Sequence, residues 1–159
     1  MNTNDIHIFE SGDGGEMKVS NGDLVLSNSL FQSIYITLFG GNIEASTLGN
    51  ENDSEQRFDW WANDLIFKDN KTKQFNSETE RCLNRTVLDS RGRLKIKSAV
   101  ESDLSGISNI SNFEVDVIIV SLNRVKINIF CSNPSDDDNT IVTFLWDGAR
   151  DELIFNTKI

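Results

Sequence analysis

The sequence is short of the residues that most often carry catalysis or bind zinc. It contains one histidine, one proline and two cysteines in 159 residues. His7 lies between Ile6 and Ile8 in an alternating pattern that predicts a strand with a solvent-facing histidine, which argues against a His-dependent triad and most zinc sites. Cys82 and Cys131 have no CxxC partner, and we expect both to be free core thiols.

Long apolar runs and an excess of basic residues are also missing. No run approaches the roughly 20 apolar residues that a membrane span needs. The first five residues lack the basic start and apolar stretch of a secretory signal, so we expect synthesis and assembly in a cytoplasm. Acidic residues outnumber basic ones by 25 to 15, a net charge of -10. That balance argues against nucleic acid or anionic lipid as the main partner.

The charge is unevenly distributed along the chain. Residues 68–97 carry nine basic and four acidic residues, a net of +5, so the rest carries -15. Two interpretations stay open for the basic segment, a solvated helix surface or a docking surface on a subunit that binds unlike neighbours in one orientation.

Three acidic or glycine-rich patterns are candidates for a functional site. Gly12–Gly15 lacks the Lys-Ser/Thr of a phosphate loop and is interpreted as a turn. Asp136–Asn139 lacks the third ligand and the glycine of a calcium loop and is interpreted as part of a solvated hairpin loop. With 25 acidic residues, some carboxylate pair always lies at a distance suited to glycoside hydrolysis, so that signal is empty. We therefore expect no enzyme, no metal and no cofactor.

The clearest element is an amphipathic helix over about Asn28 to Phe39. Ser27 and Ser29 are its predicted caps, Gln32 follows Ser29 by three residues, and Gly40 begins its stop. Before it, the first twenty-six residues predict two or three short strands, with a tight turn at Asn21-Gly22. The apolar stripe of the helix is formed by Leu30, Phe31, Ile34, Tyr35, Leu38 and Phe39.

A long polar loop around 42–76 follows and contains two adjacent tryptophans. A connection of this length is usually functional or held by partners. Either both Trp60 and Trp61 pack internally, or one packs inward while the other anchors a neighbouring subunit, which is the favoured interpretation.

The rest of the chain predicts two more helices and a strand meander. Ser77 and Glu80 form a capping box for a helix that continues towards Ser90, where Arg91-Gly92 interrupts it. A third, weaker stripe from Leu94 ends at Gly106. Strands are predicted at 113–120, 125–131, 141–146 and 153–155. The fold class is α+β: a mainly antiparallel sheet with about three helices packed on one face, in a single domain over 1–159.

In that order, the run Gly22–Leu26, the helix ending Thr37–Gly40, the acidic loop and the Trp pair resemble the small baseplate wedge protein of Mu-like contractile-tailed phages. That family is similar in role to the sheath-initiating wedge proteins of other contractile tails. The resemblance implies a non-enzymatic virion subunit in the tail baseplate, linking hub and wedge proteins to the first sheath ring, with the tail tube initiator as a further neighbour. The Glu-Pro-Arg triad of sheath initiators is absent from Ser105–Asn112, so any contact with the wedge bundle must use other residues.

The resemblance further implies that the sheath protein adds strands to an edge of the sheet built from Phe113 to Trp146. The alternative is a stand-alone acidic protein-binding module, such as an immunity or inhibitor protein. The predicted partner-binding residues are Trp60, Trp61, Arg81, Arg85, Arg91, Arg93, Val115, Val117, Ile127 and Ile129.

Overall fold

A computed structural model describes residues 4–10, 15–40, 77–133, 136–150 and 152–158. Within these described ranges, short strands come first, then three helices, then four long strands, which confirms the predicted α+β class. The short strands are β1 (Asn4–Ile6), β2 (Ile8–Glu10), β3 (Gly15–Met17), β4 (Val19–Ser20), β5 (Asp23–Leu24) and β6 (Leu26–Asn28). The helices are α1 (Ser29–Phe39), α2 (Glu78–Arg85) and α3 (Ser90–Ser105). The long strands are β7 (Asn112–Ser121), β8 (Arg124–Asn133), β9 (Asp136–Asp147) and β10 (Glu152–Lys158).

The long strands form one antiparallel sheet in the order β10-β9-β8-β7. Every second residue of β7, β8 and β9 faces the helices, because side chains alternate between the two faces of a strand. These inward residues and the helices share one apolar core. The predicted loop before β9 is shorter than expected, since β9 already begins at Asp136.

Helix α1 packs across β9 through aromatic side chains. Phe31, Tyr35 and Phe39 all lie within 6.5 Å, centroid to centroid, of Phe144, and Phe39 also stacks on Trp146 at 6.3 Å. The predicted apolar stripe is therefore the face that holds α1 to the sheet.

The start of α1 differs by one residue from the prediction. Asn28 is the N-cap, and its side-chain oxygen accepts from the Leu30 N–H at 2.9 Å. Gln32 is fully buried, and its Oε1 accepts from the Ile8 N–H at 3.1 Å, so it joins α1 to β2 instead of capping the helix. His7 is also not simply solvent-facing, because it is half-buried and stacks on Phe31.

Helix α2 starts as predicted but ends earlier. Ser77 caps it and accepts from the Glu80 N–H at 3.2 Å. The break comes at Thr86, and Arg91-Gly92 lies inside the first turn of α3, which Asp89 caps. Gly92 is required there because a Cβ would lie 1.9 Å from the Val87 carbonyl oxygen. The sequence prediction mistook a close-packing glycine for a helix breaker.

The six short strands form three two-stranded ribbons that meet at one point. β1 pairs with β6, β2 with β3, and β4 with β5. At the junction, His7 N–H donates to Val25 O, Val25 N–H to Lys18 O, and Lys18 N–H to His7 O, at 2.8–2.9 Å. The predicted turn at Asn21-Gly22 is present, with both residues at positive φ. The N-terminal strands thus form a three-armed unit beside α1.

Candidate partner-binding surfaces

The predicted strand-addition residues lie in the core. Val115, Val117, Ile127 and Ile129 are all at most 2% exposed. β8 has strands on both sides, so Ile127 and Ile129 offer a partner neither a side chain nor a backbone edge. This observation corrects the prediction that Ile127 and Ile129 bind a partner. The pattern of residues in two paired strands does not show which of the two strands lies inside the sheet.

Strand order leaves two edges to the sheet, β7 and β10. The middle of β7 is out of solvent, since Val115 and Val117 are buried as whole residues, backbone included. Arg93 Nη1 on α3 donates to Val117 O at 3.5 Å. β10 has one strand neighbour, β9, among the described residues. Among the described strands, the edge left for strand addition is therefore that of β10, which lies outside the predicted segment 113–146.

The register shows which peptide groups of β10 face away from the sheet. Peptide groups in a strand point alternately to its two sides, and Val117 O points away from β8 towards Arg93. Ile127, opposite Val117, therefore directs its peptide groups at Phe144 of β9. Phe144 also lies opposite Asn156. Because the peptide groups of Phe144 point to β8, the N–H and C=O of Asn156 point away from β9, to the side of β10 on which no described strand pairs.

The four predicted docking arginines do not form one equivalent set. Arg85 at the end of α2 and Arg91 at the start of α3 are exposed, whereas Arg81 and Arg93 are half-buried. Arg93 is engaged with the β7 backbone. The docking surface of positive charge therefore remains a prediction for Arg81, Arg85 and Arg91. Arg93 is removed from that set because it contacts the β7 backbone.

An apolar surface on the N-terminal ribbons was not predicted as a site. Ile8 and Met17, Val19 and Leu24, and Ile6 and Leu26 are cross-strand pairs, so the two side chains of each pair lie on the same face of their ribbon. The four most exposed of these aliphatic side chains are Met17 (52%), Val19 (62%), Leu24 (42%) and Leu26 (59%). The sequence signal was present as alternation at positions 6 and 8, 17 and 19, and 24 and 26. Such alternation predicts a half-buried strand, but it does not show how much of the apolar face stays exposed.

A partly buried polar junction joins the three described helices. The Asp103 carboxylate of α3 accepts from the N–H groups of Glu78 and Thr79 at 3.0 and 2.8 Å, and the Ser77 hydroxyl donates to Leu38 O. Burial raises the pKa of Asp103 above its ordinary value of 3.8, while the hydrogen bonds from Thr79 and Glu78 act in the opposite direction. The junction fixes where α2 begins relative to α1 and α3.

A second carboxylate closes the end of the sheet between β8 and β9. Asp147 is buried and accepts from Arg124 Nε at 3.0 Å and from the Ala149 N–H at 3.0 Å. The Ala149 N–H and the Arg124 guanidinium hold the pKa of Asp147 below its usual value. The role of this ion pair is to order the strand ends.

The described residues contain no cluster of three or more metal-binding side chains. In the described part of the chain, no helix has the length and apolar character of a membrane span. Trp60 and Trp61 lie outside the described residues. Comparison with family models, curated proteins and solved structures gave no match to this chain.

Proposed function

We propose that the chain is a structural subunit of a contractile-tail baseplate, which links hub and wedge proteins to the first sheath ring and helps to initiate sheath assembly. Support comes from the sequence resemblance over Asn21 to Trp61 and from a described fold that presents surfaces for partners. The tail tube initiator is a further candidate neighbour. Direct binding to nucleic acid or membrane is not part of the proposal.

The observation that carries the proposal furthest is the edge of β10. It pairs with no further described strand, and Asn156 directs its peptide groups to the free side. An edge of this kind can accept a strand from another chain, with main-chain hydrogen bonds supplying affinity. The sheath protein is the partner that we assign to it.

A second surface suits a different neighbour. The N-terminal ribbons meet at one junction and carry four exposed aliphatic side chains, and exposed apolar surface of this kind commonly marks a protein interface. At about 25 cal/mol per Å² of apolar area, covering four half-exposed aliphatic side chains supplies several kcal/mol to docking, before the costs of association. We assign this surface to a hub or wedge protein.

The proposed test is proline substitution on the β10 edge. Asn156→Pro removes an N–H that faces away from β9, so the ladder between β9 and β10 keeps its hydrogen bonds. Asn156→Ala is the matched control. We expect particles with Asn156→Pro to contain the subunit and a complete baseplate but no polymerised sheath, and particles with Asn156→Ala to be normal. Sheath of normal length on Asn156→Pro particles would refute strand addition at β10.

The acidic protein-binding module remains the alternative, and the net charge of -10 favours it. Such a module would bury its acidic surface against one basic protein in a soluble pair. Affinity purification of the tagged chain from producing cells separates the two proposals. Recovery of a large symmetric particle supports the baseplate subunit, and recovery of a single basic partner in a soluble complex supports the alternative.

A further inference from the structure

The centre of β7 is sealed although β7 is an edge strand. Edge strands normally present a row of unpaired N–H and C=O groups to water. Among the described residues, no strand pairs with β7 on the side away from β8. Yet Val115 and Val117 are 2% and 1% exposed, with the backbone included. Something other than a described strand therefore covers this edge.

Helix α3 places one side chain directly at that edge. Arg93 is half-buried, and its Nη1 donates to Val117 O at 3.5 Å. Arg91, two residues earlier, is exposed on a different side of α3. One turn further along from Arg93, Lys97 pairs with Glu101 at 3.6 Å. Arg93 is thus the α3 cation that contacts the β7 backbone.

We propose that Arg93 is an edge seal, which keeps β7 from accepting a further strand and so restricts strand addition to β10. A strand added to β7 would have to displace the guanidinium from Val117 O or bury it without an acceptor, and burying an unpaired charge is costly. A charged side chain turned towards a sheet edge is a known way in which proteins prevent edge-to-edge pairing.

The seal acts through the charge that Arg93 places at the edge more than through the strength of one hydrogen bond. At 3.5 Å, the contact from Arg93 Nη1 to Val117 O is longer than a typical N–H···O hydrogen bond. Its loss should therefore change overall stability little. The effect should instead appear locally, in the access of water and of other strands to the outward peptide groups of Val115 and Val117. The sealing of β7 is a property of the isolated chain, whereas the restriction of strand addition to β10 rests on the proposed function.

The test compares variants of the full chain by amide hydrogen exchange and by light scattering after size-exclusion chromatography. Arg93→Ala removes the seal, and Arg93→Met keeps an apolar stem but no donor. Arg93→Lys restores a long cationic side chain, and Arg91→Ala is the matched control on α3. Far-UV circular dichroism and the urea midpoint establish that each variant is folded. If Arg93→Ala does not fold, Arg93→Met serves as the test variant.

We expect the Val115 and Val117 amides to exchange at least tenfold faster without the seal. The inward-facing amides of Asp116 and Ile118 should be unchanged. The unsealed variant should self-associate in a concentration-dependent way, whereas the Arg93→Lys and Arg91→Ala variants should match the wild type. Equal exchange and equal oligomeric state in the unsealed and Arg91→Ala variants would overturn the proposal. Faster exchange without self-association would also overturn it, because something other than Arg93 would then be excluding a strand.

Discussion

Replacement of Asp103 tests the junction between the three helices. In Asp103→Ala, the N–H groups of Glu78 and Thr79 lose acceptors at 3.0 and 2.8 Å. Loss of a helix cap costs about 0.5–2 kcal/mol, and an orphaned buried donor costs about 1–3 kcal/mol. Because Ser77 still caps α2 by accepting from the Glu80 N–H, we expect Asp103→Ala to lower the free energy of unfolding by about 2 kcal/mol. Asp103→Asn keeps one acceptor oxygen and should lose about half as much on the same basis.

The pH dependence of stability gives a second readout for Asp103. Its pKa is raised in the folded state above the ordinary 3.8, chiefly by burial. At pH values between the ordinary pKa, which applies to the unfolded state, and the raised pKa of the folded state, the folded state binds more protons than the unfolded state. The contribution of Asp103 to stability therefore falls as the pH rises through that window. The contribution is fully present below pH 3.8. Asp103→Asn, which does not ionise, should lack this contribution.

The assay is urea unfolding followed by far-UV circular dichroism at several pH values. As the pH rises above 3.8, the unfolding free energy of the wild type should fall relative to that of Asp103→Asn. A difference that is independent of pH, or an Asp103→Ala variant as stable as the wild type, would refute the role assigned to this carboxylate. Unchanged unfolding slopes would show that the variants retain the same cooperative fold.

Three further predictions concern a glycine, the tryptophans and the arginines. Gly92→Ala should destabilise the fold by about 1–3 kcal/mol, as overpacking does, because its Cβ would meet Val87 O. Gly148→Ala is the control and should be near neutral in the same urea assay, because its Cβ would meet Asn123 O at an ordinary contact distance of 3.5 Å. Equal effects would contradict the close-packing role. Replacing Trp60 and Trp61 together by Ala should impair incorporation into particles more than folding, since interface anchors can carry about 2 kcal/mol or more each; a double variant that fails to fold would favour internal packing. Reversing Arg81, Arg85 and Arg91 to Glu should weaken docking in a salt-dependent way, and assembly that is unchanged at low and high salt would identify a solvated surface.

Local patterns predicted the helices and strands well where burial follows a simple period. The α1 stripe and the alternation from Phe113 to Ile119 both reflect one buried face, so their periods could be recognised without knowledge of the fold. The cap at Asn28 was missed by one residue, because Ser27, Asn28 and Ser29 are all good caps and backbone geometry selects among them.

Features set by tertiary packing could not be predicted from the same patterns. The interior position of β8 follows from β9 and β10 pairing beyond it, and strand order has no local signature. Gly92 looks like a helix breaker in sequence, but its role depends on the approach of Val87 O. The contact from Arg93 to Val117 joins residues 24 positions apart. The local sequence does not show this contact, so the charge pattern groups Arg93 with the neighbouring arginines as a predicted docking residue.

The most direct test of the central claim is an electron-density map of the assembled tail particle. The account predicts symmetric copies of this chain beneath the first sheath ring, each with a sheath strand paired along β10 at Asn156 and none along β7. Particles that lack the chain, or that contain it with the outer side of β10 unpaired, would contradict the account.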